Sequence, residues 1–192
     1  MAHLTPVHDA PAPTQTAVIA PVPAAEPLVA EHRRHLDPAD AWGVPAHVTV
    51  LFPFVEPAAV NEHVITTLAS AVAPIHSFDC CFVQTRWFGH DVLWLEPRPD
   101  RPFRLLTTAV WDAFPSNPPY GGAHDDVVPH LTVGGRRLAD APALEAADRD
   151  LRPRLPLSTS IDRLLLVAGT DAPGSWRVLH ELPLGADSAT SR

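Results

Sequence analysis

The chain is 192 residues long, 46% hydrophobic and 19% charged, which fits one globular domain with a sizeable core and excludes wholesale disorder. Its formal charge is −8 and all 14 basic residues are arginines in runs no longer than two. That argues against gripping extended duplex nucleic acid by its phosphates and leaves room for one small phosphorylated ligand.

Residues 1–14 (MAHLTPVHDAPAPT) are rich in Pro and Ala without periodicity and are expected to form a tail; 185–192 are expected to form a second one. Between them one domain over 15–184 is expected. Thr16–Val22 reads as a short buried strand and Glu26–Leu36 as a helix. Ala46–Phe54 is β-rich up to Pro53, which ends regular pairing. Ala58–Val72 repeats Val60, Val64, Leu68 and Val72 at helical spacing. Ser77–Arg86 and Val92–Glu96 form two strands around a Gly89-His90-Asp91 turn. Pro102–Phe114 is helical, with Phe103, Leu106, Val110 and Phe114 on one face. Ser116–Gly122 is a loop, Val127–Gly134 a strand and Ala141–Leu151 a helix. Ile161–Gly169 and Trp176–Leu182 make a final hairpin.

This order mixes hairpins with helical crossovers, which predicts an α+β fold built on antiparallel sheet. It also runs twice: each half sets one His-x-Thr strand after a helix and continues through a helix into a hairpin. Cys80 and Cys81 are adjacent, where bridging is strained, so free thiols in a reducing compartment are expected. No apolar run approaches a membrane span and no secretory signal opens the chain, so no membrane partner and a cytoplasmic location are expected. No oligomer signal is evident, and a monomer is expected.

The chemistry concentrates in two triplets, His47-Val48-Thr49 and His130-Leu131-Thr132, which lie 83 positions apart. In a strand, residues i and i+2 share a face, so each triplet presents an imidazole and a hydroxyl together while Val48 and Leu131 turn into a core. Chance gives roughly one His-x-Ser/Thr triplet at this composition. A third, His3-Leu4-Thr5, sits in the tail before Pro6 and carries nothing. The other two stand out because both lie in apolar β runs and both follow a proline closely.

On these paired motifs the chain resembles the two-histidine phosphoesterase superfamily, in particular its 2′-5′ RNA ligase-like branch, over about residues 15–183. The resemblance implies two lobes of antiparallel sheet flanked by helices, related by a pseudo-twofold axis, with both motifs in the cleft between them. It implies a phosphodiesterase that opens 2′,3′-cyclic phosphates on RNA ends or small nucleotides, with His47, Thr49, His130 and Thr132 as catalytic residues and no metal or other cofactor. Two imidazoles titrating near neutrality can act as general base and general acid, and two hydroxyls can donate to the phosphoryl oxygens. The sequence does not say which histidine is which. It also departs from the better-known branch. Leu51-Phe52-Pro53-Phe54 stands where a Phe-Leu-Gly turn is usual, and Gly134-Gly135 intervene before Arg136 and Arg137, where an arginine usually follows closely.

Tyr120, the only tyrosine, lies in a loop leading to the second motif and is a candidate to stack on a base or reach the phosphate, with Trp42 and Arg136 as further substrate-binding candidates. Trp87, Trp94, Trp111 and Trp176 are expected in the core or half-buried. Two alternatives remain at this stage. One is a nucleotide- or RNA-end-binding module that uses the same cleft without useful turnover. The other is a metal hydrolase built on His124, Asp125, Asp126 and His130, disfavoured because the glycines before and Pro129 after them oppose a helix.

Overall fold

The computed structural model describes residues 12–123 and 126–185. Most of both expected tails, and His124 and Asp125, lie outside the described residues. The elements run β1 (Gln15–Pro21), α1 (Glu26–Leu36), α2 (Pro38–Trp42), β2 (His47–Leu51), α3 (Glu62–Val72), β3 (Phe78–Phe88), β4 (Val92–Arg98), α4 (Arg101–Ala113), β5 (Leu131–Gly135), α5 (Ala141–Leu151), β6 (Leu157–Ile161), β7 (Arg163–Gly169) and β8 (Arg177–Pro183).

The predicted alternation is present with two additions. One is α2, which spans five residues, too few to show a helical period. Asp37 caps it by accepting from the Ala39 N–H at 3.0 Å, and Gly43 ends it at φ +93°. The other is β6, of which the sequence suggests only Ile161, as the first residue of the next strand. Asp162 separates them, and Ile161 pairs with Phe78 of β3 rather than joining β7. Helix α3 starts at Glu62 rather than Ala58, because the Asn61 side chain caps it on Val64 N–H at 3.0 Å. The second motif strand begins at Leu131, later than expected, so His130 immediately precedes it. Gly185, read as the first residue of a tail, is held by backbone hydrogen bonds to Ile75 and Ser77.

The strands form one sheet in the order β6-β3-β4-β5-β2-β1-β7-β8, every neighbouring pair antiparallel. The two expected lobes are the two four-stranded halves of this sheet. They meet at a narrow seam where β2 and β5 share one register pair, Val48 opposite Leu131. A single residue, Asp162, connects β6 at one edge to β7 near the other. Two residues of extended chain reach at most about 7 Å, so the sheet must curl until its ends approach. Leu184 N–H bonds the Asp162 carbonyl at 2.9 Å, one step on from the Arg163–Pro183 pair, and Gly185 then bonds Ser77 and Ile75, beside β3, each at 2.8 Å.

Strand alternation decides what each face carries. Val18, Ala20, Val48, Val50, Leu131 and Val133 are almost fully buried in the main core, with Val29, Leu68, Leu106, Val110 and Leu144 from the helices. Helix α1 packs on β5 and α4 on β2. The approach of α1 needs Gly134: a Cβ there would sit 2.3 Å from Leu36 Cβ. On the opposite face Ala17, Ile19, Leu165 and Val167 join Val44, Trp42, Phe52 and Trp176 in a second, smaller apolar cluster. Trp111 departs from expectation at 43% exposed, because Phe103, Leu106, Thr107 and Val110 form the buried face of α4. Cys80 and Cys81 are free thiols. Among the described residues no helix is long and apolar enough to cross a membrane.

Candidate active site

The Val48–Leu131 pair joins the central residues of the two triplets, so the antiparallel register sets His47 level with Thr132 and Thr49 level with His130. All four side chains then emerge on the face opposite the main core. His47 and His130 become diagonal neighbours across the seam, and such neighbours stand about 7–8 Å apart. That leaves a gap on the scale of a phosphoryl group between two imidazoles, flanked by two hydroxyls.

The two histidines are held in the same way. His47 Nδ1–H donates to the Pro45 carbonyl at 2.7 Å, and His130 Nδ1–H donates to the Val128 carbonyl at 2.7 Å. A carbonyl only accepts, so Nδ1 carries the proton in each ring and Nε2 is the atom left for chemistry. The prolines seen in the sequence belong to these locks, since Pro45 supplies one carbonyl and Pro129 follows the other.

The environments differ in charge. Burial lowers both imidazole pKa values below the ordinary histidine range. At His47 the buried guanidinium of Arg33 and the neighbouring His130 add to burial, and the result is about 4. Arg33 is 1% exposed and is fixed by Asp37 at 3.0 Å and by the Val44 carbonyl at 3.0 Å. No arginine acts on His130, which instead packs edge-on against Phe88 (4.9 Å between ring centroids) and Trp94 (5.8 Å). Phe88 and Trp94 stack on each other at 4.8 Å.

Tyr120 couples the halves. Its hydroxyl is hydrogen-bonded to Thr49, its N–H donates to the Phe52 carbonyl at 2.6 Å, and its ring lines the pocket that holds His130 and Thr132. It is the one non-glycine residue with positive φ among those described, at +52°. Such a conformation costs about 1–3 kcal/mol and is typical of functional positions. Burial raises its phenol pKa, so the hydroxyl keeps its proton at neutral pH.

The cleft has two compartments. A pocket of about 610 Å³ is lined by His130, Thr132, Tyr120, Phe88, Asp37 and Asp126 among others. A smaller one of about 130 Å³ holds His47 and Thr49 beside Trp42, Phe52 and Trp176. Trp42 therefore lies beside the first motif. Arg136 does not lie at either. It lines a separate pocket with Trp87, Glu145 and Asp148 on the helix-covered side. The cause is an irregularity in the β4–β5 register: Trp94 opposes Thr132 and Leu93 opposes Gly134, so Val133 is skipped. The extra residue reverses the alternation beyond it. Arg137 is the arginine that turns to the cleft, with its guanidinium carbon 5.8 Å from the Trp42 ring centroid.

Sequence reasoning missed Arg33, Asp37, Phe88 and Trp94, because each reaches the site through tertiary packing from an element with its own local explanation. Among the described residues no group of three or more potential metal-ligating side chains gathers; His124 and Asp125, members of the proposed metal cluster, are not among them.

A family model described as the 2′-5′ RNA ligase superfamily matches residues 20–172. Solved structures share the fold. TT0787 of Thermus thermophilus aligns with a TM-score of 0.63 at 16% identity, covering 90% of this chain and 99% of that one. E. coli LigT complexed with NADP+ aligns with a TM-score of 0.56 at 17% identity, covering 90% and 98%. A structure described as a phosphoesterase aligns with a TM-score of 0.58 at 17% identity, covering 91% and 99%. No curated protein matches the chain.

Proposed function

Because the chain belongs to the 2′-5′ RNA ligase superfamily, we propose that it is a phosphodiesterase that opens 2′,3′-cyclic phosphates on small nucleotides or RNA ends. The observation that carries this reading is the matched pair of histidines, each with Nδ1–H fixed on the carbonyl two residues earlier and Nε2 left for the cleft. That E. coli LigT has been solved with 3′-AMP, with phosphate and with ATP supports a nucleotide as ligand.

His47 is the general base and His130 the general acid. The Arg33 charge behind His47 opposes protonation there, so its Nε2 keeps a lone pair at neutral pH. His130 has no such cation behind it and accepts a proton more readily. A water oxygen attacks phosphorus while its proton passes to His47 Nε2. The bond from phosphorus to one ribose oxygen breaks, and that oxygen takes the proton from His130 Nε2, which gives a phosphomonoester and a free hydroxyl. Thr49 and Thr132 donate to the non-bridging oxygens, where negative charge grows. Tyr120 fixes the Thr49 hydroxyl. Two imidazoles and two hydroxyls supply the proton transfers and the charge stabilisation, so turnover is expected to survive EDTA.

The test is phosphorus NMR of 2′,3′-cyclic AMP incubated with the protein, with and without EDTA, beside His47→Ala and His130→Ala. Turnover that persists in EDTA and disappears in both variants is expected. Turnover that persists in both folded variants overturns the assignment, and loss on chelation overturns the metal-independent route.

A further inference from the structure

We infer that the cleft selects a small, singly charged cyclic phosphodiester, such as a mononucleoside 2′,3′-cyclic phosphate, over the polyanionic end of an RNA chain. This inference rests on the reading of the site as a cyclic phosphodiesterase and narrows its substrate class.

The charges around the site carry the argument. An RNA end brings one phosphate to be opened and a further negative charge for every nucleotide behind it, and proteins that hold such a chain place arginines along its path. Here two arginines bonded to residues of the cleft wall are each outnumbered by carboxylates. Arg33 faces Asp37 at 3.0 Å and Asp40 at 3.9 Å. Arg104 faces Asp100 at 2.8 Å and Asp126 at 2.7 Å. Each cluster therefore holds one more carboxyl than guanidinium, and Asp37 and Asp126 both line the larger compartment. Arg33 is also buried away from any ligand, and Arg104 spends a further N–H on the Val127 carbonyl at 2.9 Å.

Arg137 lies by the smaller compartment, its guanidinium carbon 5.8 Å from the centroid of the Trp42 ring that lines it. One guanidinium at the rim matches one phosphate. Arg136, which would have doubled it, is turned to the other side of the sheet. The larger compartment, at about 610 Å³, lies in the range of small-molecule sites and is walled by Phe88 and Tyr120, rings suited to a base. The net charge of −8 across the chain acts in the same direction, opposing the approach of a second polyanion.

The experiment compares kcat/KM for 2′,3′-cyclic AMP and for a short oligoribonucleotide ending in a 2′,3′-cyclic phosphate, at about 50 and about 300 mM salt. The mononucleotide is expected to be preferred by roughly tenfold at low salt, and the gap is expected to narrow at high salt as repulsion is screened. Asp126→Asn, which removes one wall charge and releases Arg104, is expected to narrow the gap at low salt. An oligonucleotide turned over as fast as the mononucleotide, and slowed by salt in the manner of counterion release, overturns the inference and leaves the phosphodiesterase reading intact. If neither substrate is opened by folded protein, the phosphodiesterase reading itself fails and this inference falls with it.

Discussion

Removing the Tyr120 hydroxyl tests whether the Thr49 side chain is held for catalysis. Tyr120→Phe keeps the ring against the His130 pocket and the backbone bond to Phe52, and deletes the contact with Thr49. One buried hydrogen bond of this kind contributes about 0.5–1.5 kcal/mol. If Thr49 must point at a phosphoryl oxygen in the transition state, that energy appears in kcat as a roughly two- to twelvefold loss, because each 1.4 kcal/mol is about a factor of ten. KM should change little, since the ring that meets the ligand is kept. Thr49→Val should cause a comparable or larger loss, and adding Tyr120→Phe to it should cost little more, because the two side chains act as one unit. The assay is kcat and KM on 2′,3′-cyclic AMP, with urea midpoints to confirm folding. A kcat within about 1.5-fold of the parent refutes the positioning role. A loss as deep as that of His130→Ala also refutes it, because the phenol would then belong to the chemistry itself.

The kcat/KM profile should lie on the acid side of the ordinary histidine range. Its acid limb should fall near pH 4, where His47 becomes protonated, and its basic limb, where His130 loses its proton, should be displaced to the acid side by the burial of that ring. Replacing Arg33 by Met should move the acid limb upward, and a limb that stays in place in a folded variant removes Arg33 from the account. Arg137→Ala should raise KM for the cyclic mononucleotide several-fold, whereas Arg136→Ala should leave it within about twofold, since Arg136 lies across the sheet. The reverse pattern would show that the register irregularity at Val133 does not persist in solution. Gly134→Ala should lower stability by about 1–3 kcal/mol by forcing a methyl against Leu36, read as a lower urea midpoint. An unchanged midpoint would show that α1 moves away freely.

The sequence carried the alternation of elements and both motifs because each rests on a local pattern: period-two apolar runs around Val48 and Leu131, and helical spacing through Phe103, Leu106 and Val110. What it could not carry depends on counting across strands. Arg136 belonged to the cleft only if β5 kept strict alternation from Thr132, and the residue skipped at Val133 is a property of the pairing with β4. The same applies to Arg33, which reads locally as one of two adjacent arginines on a helix. Helix α1 carries Glu26, Glu31 and Arg34 as well, and Arg33 becomes a buried cation acting on His47 only once Asp37 and the Val44 carbonyl close around it.

The consequence reaches the chemistry. The two motifs match in sequence and in their carbonyl locks, so the histidines would be interchangeable on local grounds. Acid and base chemistry on one phosphate needs them to differ. The difference comes from the unmatched parts of the two halves: a guanidinium behind one imidazole and a stacked pair of rings against the other. The near-repeat places two equal groups across a seam, and the divergence around it assigns their roles.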